Sequence, residues 1–397
     1  MSQIKEEKPP IARNADLDRV RAIAILLVLI SHLLFVPQMA FAVPFFVPFH
    51  FWTGVDLFFV ISGFIITKTL LNDLEAAKTT DEISVAIRSF FIKRIFRIIP
   101  SAWLWVLIPL ILSLIFNSSD RFPNLMQFGQ DFLLIVFNVY NFFDAFQGML
   151  NIDAFKRLAP YWSLSIEEQF YLVIPFAMIV VRKNNHRIAL LCGTLLLIIF
   201  VIRPAFLLGG ISSINFFMKF TLTRADALIS GSLLYIFSKY PFYKRVEPLI
   251  LRHRSIAICT TALLLLSLGR ITKFAGSDAF SYITLWPLVN LLVTIPVFIA
   301  SFDKDYLKIS ASMDLLFLYL AKRSYTLYLA HWTALWTTWE VGTRFSLFLS
   351  TLGPITTPVF YLTVYIFLTA LFTELSYRLV ELPMIKVGKK VVSTIAK

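Results

Sequence analysis

Cysteine, glycine and charge are all scarce in this chain of 397 residues, which has two cysteines, 13 glycines and only 15% charged residues. Two cysteines cannot build a disulfide framework, so the sequence excludes a small scaffold held together by disulfides. The charged residues are also too few to cover the surface of a soluble domain of this length. These scarcities therefore exclude a typical soluble globular protein.

Hydrophobic residues make up 58% of the chain, and phenylalanine alone occurs 40 times. Apolar runs of about 20 residues recur, which is the length that a helix needs to cross a bilayer. The pattern predicts an all-α, polytopic integral membrane protein, a helical bundle with about ten transmembrane helices. We place the predicted spans at 18–36, 51–71, 99–116, 160–181, 188–208, 219–238, 255–269, 281–300, 324–340 and 355–377.

A net charge of +13 would suggest a nucleic-acid partner in a soluble protein. Here the basic residues are concentrated in alternate gaps between the predicted spans. Of the 37 lysines and arginines, 25 fall in every second gap between spans, starting with residues 1–17, and six fall in the other gaps. Because basic loops stay in the cytosol, this asymmetry predicts that both termini are cytosolic. The net positive charge is thus explained by the basic cytosolic loops of a protein in a lipid bilayer, and we expect no nucleic-acid partner.

The organisation along the chain is that of one polytopic unit. We predict a cytosolic tail over residues 1–17, a transmembrane domain over 18–385 and a second cytosolic tail over 386–397. The outer loop 117–159 is long and contains an apolar stretch, 132–143, which is too short to span a bilayer. We interpret that stretch as a re-entrant or interfacial piece.

Ionisable residues inside the spans are the candidates for function, because each costs about 2.5–3.5 kcal/mol on insertion scales. Arg21 and His32 lie eleven residues apart in one span. That separation is three helical turns plus about 20°, so both side chains project from one face, about 16 Å apart along the axis. Arg21 and His32 therefore suggest a polar path along this face of the helix. Other polar residues within the spans are Asp56 with Ser62, Glu167 with Glu168, Arg224 with Asp226, His331 and Glu374.

Five segments resemble the motifs of the membrane acyltransferase-3 family, in order, from about residue 17 to 385. They are Leu17–Arg21 with His32, which looks like the family's Arg-x10-His signature; Gly54–Phe64; Lys93–Pro100, with a basic Arg-x-x-Arg motif; Trp162–Tyr171; and Ser324–Trp332 followed by Ser376–Pro383. Some family members add a C-terminal soluble hydrolase-like domain, which we do not expect in this chain.

The resemblance implies an enzyme, a membrane O-acyltransferase that moves an acyl group, usually acetyl, from cytosolic acyl-CoA to a carbohydrate hydroxyl at the outer face. It implies residence in the bacterial inner (plasma) membrane. The expected partners are acyl-CoA, a carbohydrate or glycolipid acceptor and the lipid bilayer. O-antigen, other lipopolysaccharide sugars, exopolysaccharide, peptidoglycan, periplasmic glucan and small glycosides all stay open as acceptors, and succinyl stays open as a longer acyl group.

The sequence also shapes what we expect of cofactors. It has neither a cluster of metal-ligand residues nor a Gly-rich nucleotide loop. We therefore expect no metal and no permanently bound cofactor, with acetyl-CoA or another acyl-CoA serving as the donor substrate.

Three residues are predicted to be catalytic. His32 is the predicted general base or transient acyl acceptor, because an imidazole titrates near neutrality. Glu167 would accept hydrogen bonds from sugar hydroxyls near the outer face or act as a second acid or base; its structural alternative is an ion pair, for example with Arg224. Asp56 would orient His32 or bind acceptor hydroxyls, and its structural alternative is a carboxylate that interacts with a helix dipole.

Four basic residues are predicted to bind the donor. Arg21 would bind a donor phosphate or position the thioester, and ordinary snorkelling at a helix end is the alternative. Lys93, Arg94 and Arg97 would hold the phosphates of coenzyme A, since arginine forks match phosphate oxygens. The alternative for these three is an anchor at the cytosolic boundary.

Three further residues complete the predicted binding site. Ser62 would contribute a hydroxyl, although with Gly63 it also permits close helix packing. Trp162 would be a platform for a sugar ring or an anchor at the interface. His331 would line the cavity or be a hydrogen-bonded core histidine.

Two other kinds of function stay open from the sequence. About ten helices with charges at depth also describe a secondary transporter for a sugar or an anionic metabolite. A carrier favours inverted repeats and paired broken helices, and the sequence shows neither. A membrane protein that binds or modulates lipid without catalysis is the third alternative.

Overall fold

A computed structural model describes residues 14–34, 39, 43–149, 158–250, 253–274, 279–351 and 353–395. Within these ranges the chain is helical and has no β-strand, which confirms the predicted all-α fold. The helices are α1 (Ala15–Leu33), α2 (Gly54–Ala76), α3 (Thr80–Ile115), α4 (Leu125–Val136), α5 (Tyr140–Met149), α6 (Tyr161–Val180), α7 (Asn184–Leu197), α8 (Arg203–Leu208), α9 (Ile214–Lys219), α10 (Thr221–Arg224), α11 (Asp226–Ser238), α12 (Pro241–Ile250), α13 (Arg254–Phe274), α14 (Ala279–Ser301), α15 (Ala311–Arg344), α16 (Ser346–Ser350), α17 (Thr356–Ser376) and α18 (Leu382–Ile395).

Seven helical stretches of the described chain are long and apolar enough to cross a bilayer, which supports the multi-pass architecture. They are Gly54–Ala76, Thr80–Ile115, Tyr161–Val180, Asn184–Leu208, Arg254–Thr272, Ile283–Ser301 and Thr356–Ile395. The described residues of three other predicted spans, 18–36, 219–238 and 324–340, lie largely on α1, on α10 with α11, and on α15, whereas residues 35 and 36 lie outside the described ranges. The total of ten spans and the cytosolic side of both termini stay predictions.

Three segments that we predicted to lie outside the spans are helical in large part: 80–98, 311–323 and 386–395. They extend α3, α15 and α18 beyond the apolar runs. The side chains of Thr79 and Ser310 cap α3 and α15 by accepting from the backbone amide three residues later. Hydropathy does not mark such a start, because the cap and not the apolar run decides where the helix begins.

α2 and α11 cross with almost no space between their backbones. A Cβ atom added to Gly63 or to Gly231 would lie 2.0 Å from a backbone carbonyl oxygen of the other helix. One turn further along, the Thr67 hydroxyl donates to Ser232 Oγ at 2.8 Å. Small residues let two membrane helices approach this closely. The crossing therefore sets the depth and rotation of α2, and with them the position of Ser62.

α6 begins partway along α3 and not beside its end. The Tyr161 hydroxyl donates to the carbonyl oxygen of Ala102 at 2.6 Å, whereas α3 continues to Ile115, about 20 Å further along its axis. The short helices α4 and α5 precede this start and turn at Asn138, which has a φ of 56°, a conformation that asparagine tolerates. The turn lies within the predicted re-entrant stretch, 132–143. The first residues of α6 consequently lie beside Ala102 of α3 and not beside Ile115 at its C-terminal end.

α1 and α15 lie side by side and are held near their N-terminal ends by charge. Arg19 is 1% exposed and contacts the carboxylates of Asp16 and Asp314 at 2.6 and 2.7 Å. Near the other end of α15, the buried Glu340 carboxylate accepts from the backbone amides of residues 118 and 119, each at 2.8 Å. α15 is therefore fixed against its neighbours at both ends.

Replacing Gly63 or Gly231 by alanine should destabilise the protein, because the new Cβ would overlap a backbone carbonyl. Overpacking of this kind costs about 1–3 kcal/mol and more where a backbone must move. Gly193→Ala in α7 is the matched control, since nothing lies within 4 Å of its Cβ position. Thermal unfolding of the purified protein in detergent should show lower midpoints for the first two variants only. Equal midpoints in all three would contradict the close crossing.

Candidate active site

α1, α2, α3, α6 and α15 enclose a cavity of about 90 Å³. Among the described residues that line it are three arginines, Arg21, Arg94 and Arg97, and one carboxylate, Glu167. The excess of cations makes the cavity attractive to an anionic group. Its other polar lining residues carry hydroxyl groups and are Ser62, Ser163, Tyr171, Ser324, Tyr325 and Tyr328.

Arg21 reaches the cavity from α1 and is held by a residue one turn earlier. Its Nη1 donates to Asp18 Oδ1 at 3.0 Å, and both side chains are largely buried, at 14% and 4% exposure. A snorkelling arginine would extend to solvent. The structure instead places Arg21 inside the cavity, beside the other two arginines.

Arg94 and Arg97 lie three residues apart on α3 and face the cavity together, as neighbours on one helix face do. The Arg94 guanidinium also lies 5.6 Å from the ring centroid of Tyr171. Lys93 is different. Its ammonium group is exposed and lies 3.5 Å from the Asp73 carboxylate, outside the set of residues that line the cavity.

Glu167 belongs to a hydrogen-bond network on the cavity wall. Ser62 Oγ donates to Glu167 Oε1 at 2.9 Å, and the Tyr171 hydroxyl donates to Oε2 at 2.7 Å. We predicted Glu167 near the outer face and the arginines of α3 at the cytosolic boundary, but the structure places Glu167 beside Arg94 and Arg97, because α6 begins partway along α3. Glu167 and Ser62 lie together with the three arginines of the predicted donor site.

His32 and His331 form a pair between α1 and α15. His331 Nε2 lies 3.0 Å from His32 Nδ1, and the two rings stack with centroids 4.9 Å apart. The Trp332 ring meets His32 edge-on at 5.1 Å. His331 has no exposed surface. The structure thus brings the predicted catalytic histidine together with a second imidazole.

Tyr328 connects the cavity with the histidine pair. Its side chain lines the cavity, and its ring centroid lies 5.7 Å from that of His331. The Tyr328 hydroxyl and Ser163 Oγ are 2.6 Å apart, and Phe58 packs edge-on against the Tyr328 ring. The cavity and the histidine pair are therefore separated by the thickness of this side chain.

Asp56 lies elsewhere, in a buried ion pair. Its Oδ1 is 2.5 Å from Arg224 Nη1, and neither side chain is more than 1% exposed. A second buried pair joins Arg203 to Asp226 at 2.7 Å, and Asp226 is two residues after Arg224. We predicted that Asp56 would orient His32. Its carboxylate instead contacts the buried guanidinium of Arg224. The arrangement matches a structural carboxylate that joins α2 to α10.

Trp162 is half-buried on α6 and also lies outside the set of residues that line the cavity. Its ring meets Phe59 edge-on, with centroids 6.2 Å apart, and Phe59 itself lines the cavity. Trp162 therefore supports the wall from behind. No contact among the described residues supports its predicted role as a sugar platform.

Sequence reasoning gave Asp18 and Ser163 no role. It gave Tyr171 and Tyr328 only the general role of sugar platforms, with interface anchoring as the alternative, and did not connect these four residues with the predicted site. Three of them follow helical spacing from a predicted residue: Asp18 precedes Arg21 by three positions, Tyr171 follows Glu167 by four, and Tyr328 precedes His331 by three. Such neighbours share a helix face. Spacing could have found these three, whereas the contact of Ser163 with α15 depends on tertiary packing.

Comparison with known proteins identifies the family of the chain. A family model for an acyltransferase domain matches residues 14–375, and the chain belongs to this membrane acyltransferase family. O-acetyltransferase OatA of Staphylococcus aureus (strain NCTC 8325 / PS 47) is 28% identical to it over 358 residues, which cover 87% of this chain and 54% of OatA. OatA of strain COL matches with the same identity and coverage.

The chain spans about half the length of these curated relatives. No solved structure matches it.

Removing the Asp56 carboxylate should unfold the protein rather than only slow a reaction. Asp56→Ala leaves Arg224 as an unpaired buried charge, which costs about 3–5 kcal/mol. The double variant Asp56→Leu with Arg224→Met removes both charges and should recover most of the loss. Asp73→Ala, which removes the partner of exposed Lys93, is the control and should change little. Detergent-solubilised yield and thermal midpoint measure all three; a stable Asp56→Ala variant would argue against the structural role.

Proposed function

We propose that the protein is a membrane O-acyltransferase that moves an acetyl group from cytosolic acyl-CoA to a hydroxyl of a cell-surface or exported carbohydrate. Membership of the acyltransferase family and similarity to proteins named O-acetyltransferase support this proposal. The observation that carries it is the cavity with three arginines, one tyrosine side chain away from a histidine pair.

The arginine cavity is the proposed donor site. Coenzyme A carries phosphates, and Arg21, Arg94 and Arg97 present planar guanidinium groups that match phosphate oxygens. At about 90 Å³ the cavity has room for a few water molecules, so it would hold only a small part of the donor. The flexible arm that bears the thioester would then extend toward His32, about 16 Å away along α1. Tyr328 stands on that route and would have to rotate.

His32 is the proposed general base. An acceptor hydroxyl is a poor nucleophile at neutral pH until its proton is removed. In the proposed step the hydroxyl proton passes to His32 while the oxygen forms a bond to the thioester carbonyl carbon. The carbon–sulfur bond then breaks, and the coenzyme A thiolate takes the proton from His32. The products are the acylated carbohydrate and free coenzyme A, and no resident cofactor or metal takes part.

The bacterial inner membrane is the proposed location. Acyl-CoA is cytosolic, whereas the proposed acceptor lies on the other side of the bilayer. An integral protein with polar groups at depth can serve both compartments. The apolar helices and the membrane acyltransferase family support an integral, multi-pass protein.

Transfer of label from acetyl-CoA tests the proposed activity. Membranes with the wild-type protein should move labelled acetyl into surface polysaccharide, and His32→Ala should lower this transfer by about a hundredfold or more. Immunoblots should show equal amounts of both proteins in the membrane. Wild-type transfer by His32→Ala would remove His32 from the mechanism, and no transfer by either protein would contradict the acyltransferase proposal.

The donor site has its own test. Arg94→Ala with Arg97→Ala should raise the KM or Kd for acyl-CoA by at least about tenfold, because each charged hydrogen bond contributes about 1.5–3 kcal/mol. Lys93→Ala is a matched control on the same helix, since Lys93 is exposed and lies outside the cavity. Equal donor affinity in the double variant and the control would leave the two arginines as membrane anchors.

A further inference from the structure

The contact between the two histidines can exist in two forms. At 3.0 Å, one of the nitrogens His32 Nδ1 and His331 Nε2 carries the hydrogen and the other offers a lone pair. If His32 donates, its Nε2 holds a lone pair and can take a proton. If His331 donates, a neutral His32 carries its hydrogen on Nε2 and cannot act as a base there.

The surroundings of His331 favour the first form. The backbone carbonyls of Leu327 and Tyr328, in the preceding turn of α15, face its ring. These carbonyls belong to the same helix as His331, so they meet Nδ1, the ring nitrogen nearer the backbone. The Val28 carbonyl lies four residues before His32 on α1, has the same relation to that ring and likewise favours a hydrogen on its Nδ1. No described group forms a full hydrogen bond with Nδ1 of His331, which is buried. Carbonyl oxygens only accept, so a hydrogen on Nδ1 is favoured over a lone pair, and Nε2 of a neutral His331 then holds a lone pair.

We propose that His331 is a positioning residue that accepts a hydrogen bond from Nδ1 of His32 and thereby keeps the lone pair of His32 on Nε2. This inference rests on the proposed role of His32 as the base. A partner on one ring nitrogen sets the tautomer and orientation of a catalytic histidine. Elsewhere a carboxylate often has that task; here a neutral imidazole performs it.

The neutral partner also suits the depth of the site. A carboxylate beside His32 would add an ionised group to an apolar bundle, which is expensive. When His32 takes the proton of the acceptor hydroxyl, its Nδ1–H bond to His331 becomes charge-assisted and strengthens. His331 thus stabilises the imidazolium only while the proton is on His32, and no net charge remains after the proton passes to the thiolate.

Three substitutions of His331 separate positioning from packing. The amide oxygen of glutamine is three bonds from Cβ, as Nε2 is in histidine, so His331→Gln can still accept from His32. In His331→Asn the oxygen is only two bonds away, which matches Nδ1. His331→Phe keeps an aromatic ring against Tyr328 and Trp332 but offers no acceptor.

Acetyl transfer from labelled acetyl-CoA is then measured for each variant. We expect kcat to fall by about a hundredfold in the phenylalanine and asparagine variants and by less than about tenfold in the glutamine variant. KM for acyl-CoA should not change, because the arginine cavity is separate from the histidine pair. Equal losses in the glutamine and asparagine variants, or a loss that follows the thermal midpoint, would overturn the positioning role.

A direct measurement does not depend on activity. The sequence has five histidines, so nitrogen-15 NMR of histidine-labelled protein in nanodiscs can be assigned with His32→Ala and His331→Phe. The wild-type His32 signals should show a protonated Nδ1 and an unprotonated Nε2. A protonated Nε2 on neutral His32 would overturn the inference. Should wild-type transfer be absent while this tautomer is present, the proposed function fails and the hydrogen-bond direction stands.

Discussion

An ionised side chain inside an apolar bundle must find its partner within the protein, and this constraint orders the whole structure. Two arginines and two aspartates near the start of α11 neutralise one another in pairs, Arg224 with Asp56 and Arg203 with Asp226. Arg19 is likewise enclosed by carboxylates. Such pairs contribute little net stability, but losing one partner is costly. They tie helices that are distant in sequence into one bundle.

Around the cavity the cations of the described residues are not all paired with carboxylates. Three arginines face it with one carboxylate among the described lining residues, and that carboxylate is already engaged by two hydroxyl groups. A fold that pairs Arg19, Arg203 and Arg224 with carboxylates and leaves three arginines around a cavity is suited to receive an anion there. The histidine pair lies beyond Tyr328, so the proposed anion binding and the proposed proton transfer would occupy different places.

Periodicity along one helix was enough to predict part of this site. Arg21 and His32 were placed on one face of α1, and the structure puts the first in the cavity and the second beside His331. The shared face of Arg94 and Arg97 also follows from their spacing. These features depend only on the geometry of a single helix, which the sequence determines directly.

Partners between helices could not be predicted in the same way. Asp56 has a guanidinium partner on α10 because α2 and α11 cross at two glycines, and no local pattern encodes that crossing. Glu167 lies beside the arginines of α3 because α6 starts partway along α3, after two short helices whose path depends on packing. The Ser163 contact with Tyr328 depends on the same start.

The anchoring of α15 at both ends makes its length a fixed dimension of the protein. Asp314 is tied to Arg19 at one end and Glu340 to the backbone of residues 118 and 119 at the other. A single residue inserted between Asp314 and His331 would turn the imidazole by about 100° and move it by about 1.5 Å. Lipid-facing positions on this helix can vary in side chain, whereas an insertion or deletion would break register with α1. The fixed position of α15 therefore determines where the imidazoles of His32 and His331 meet.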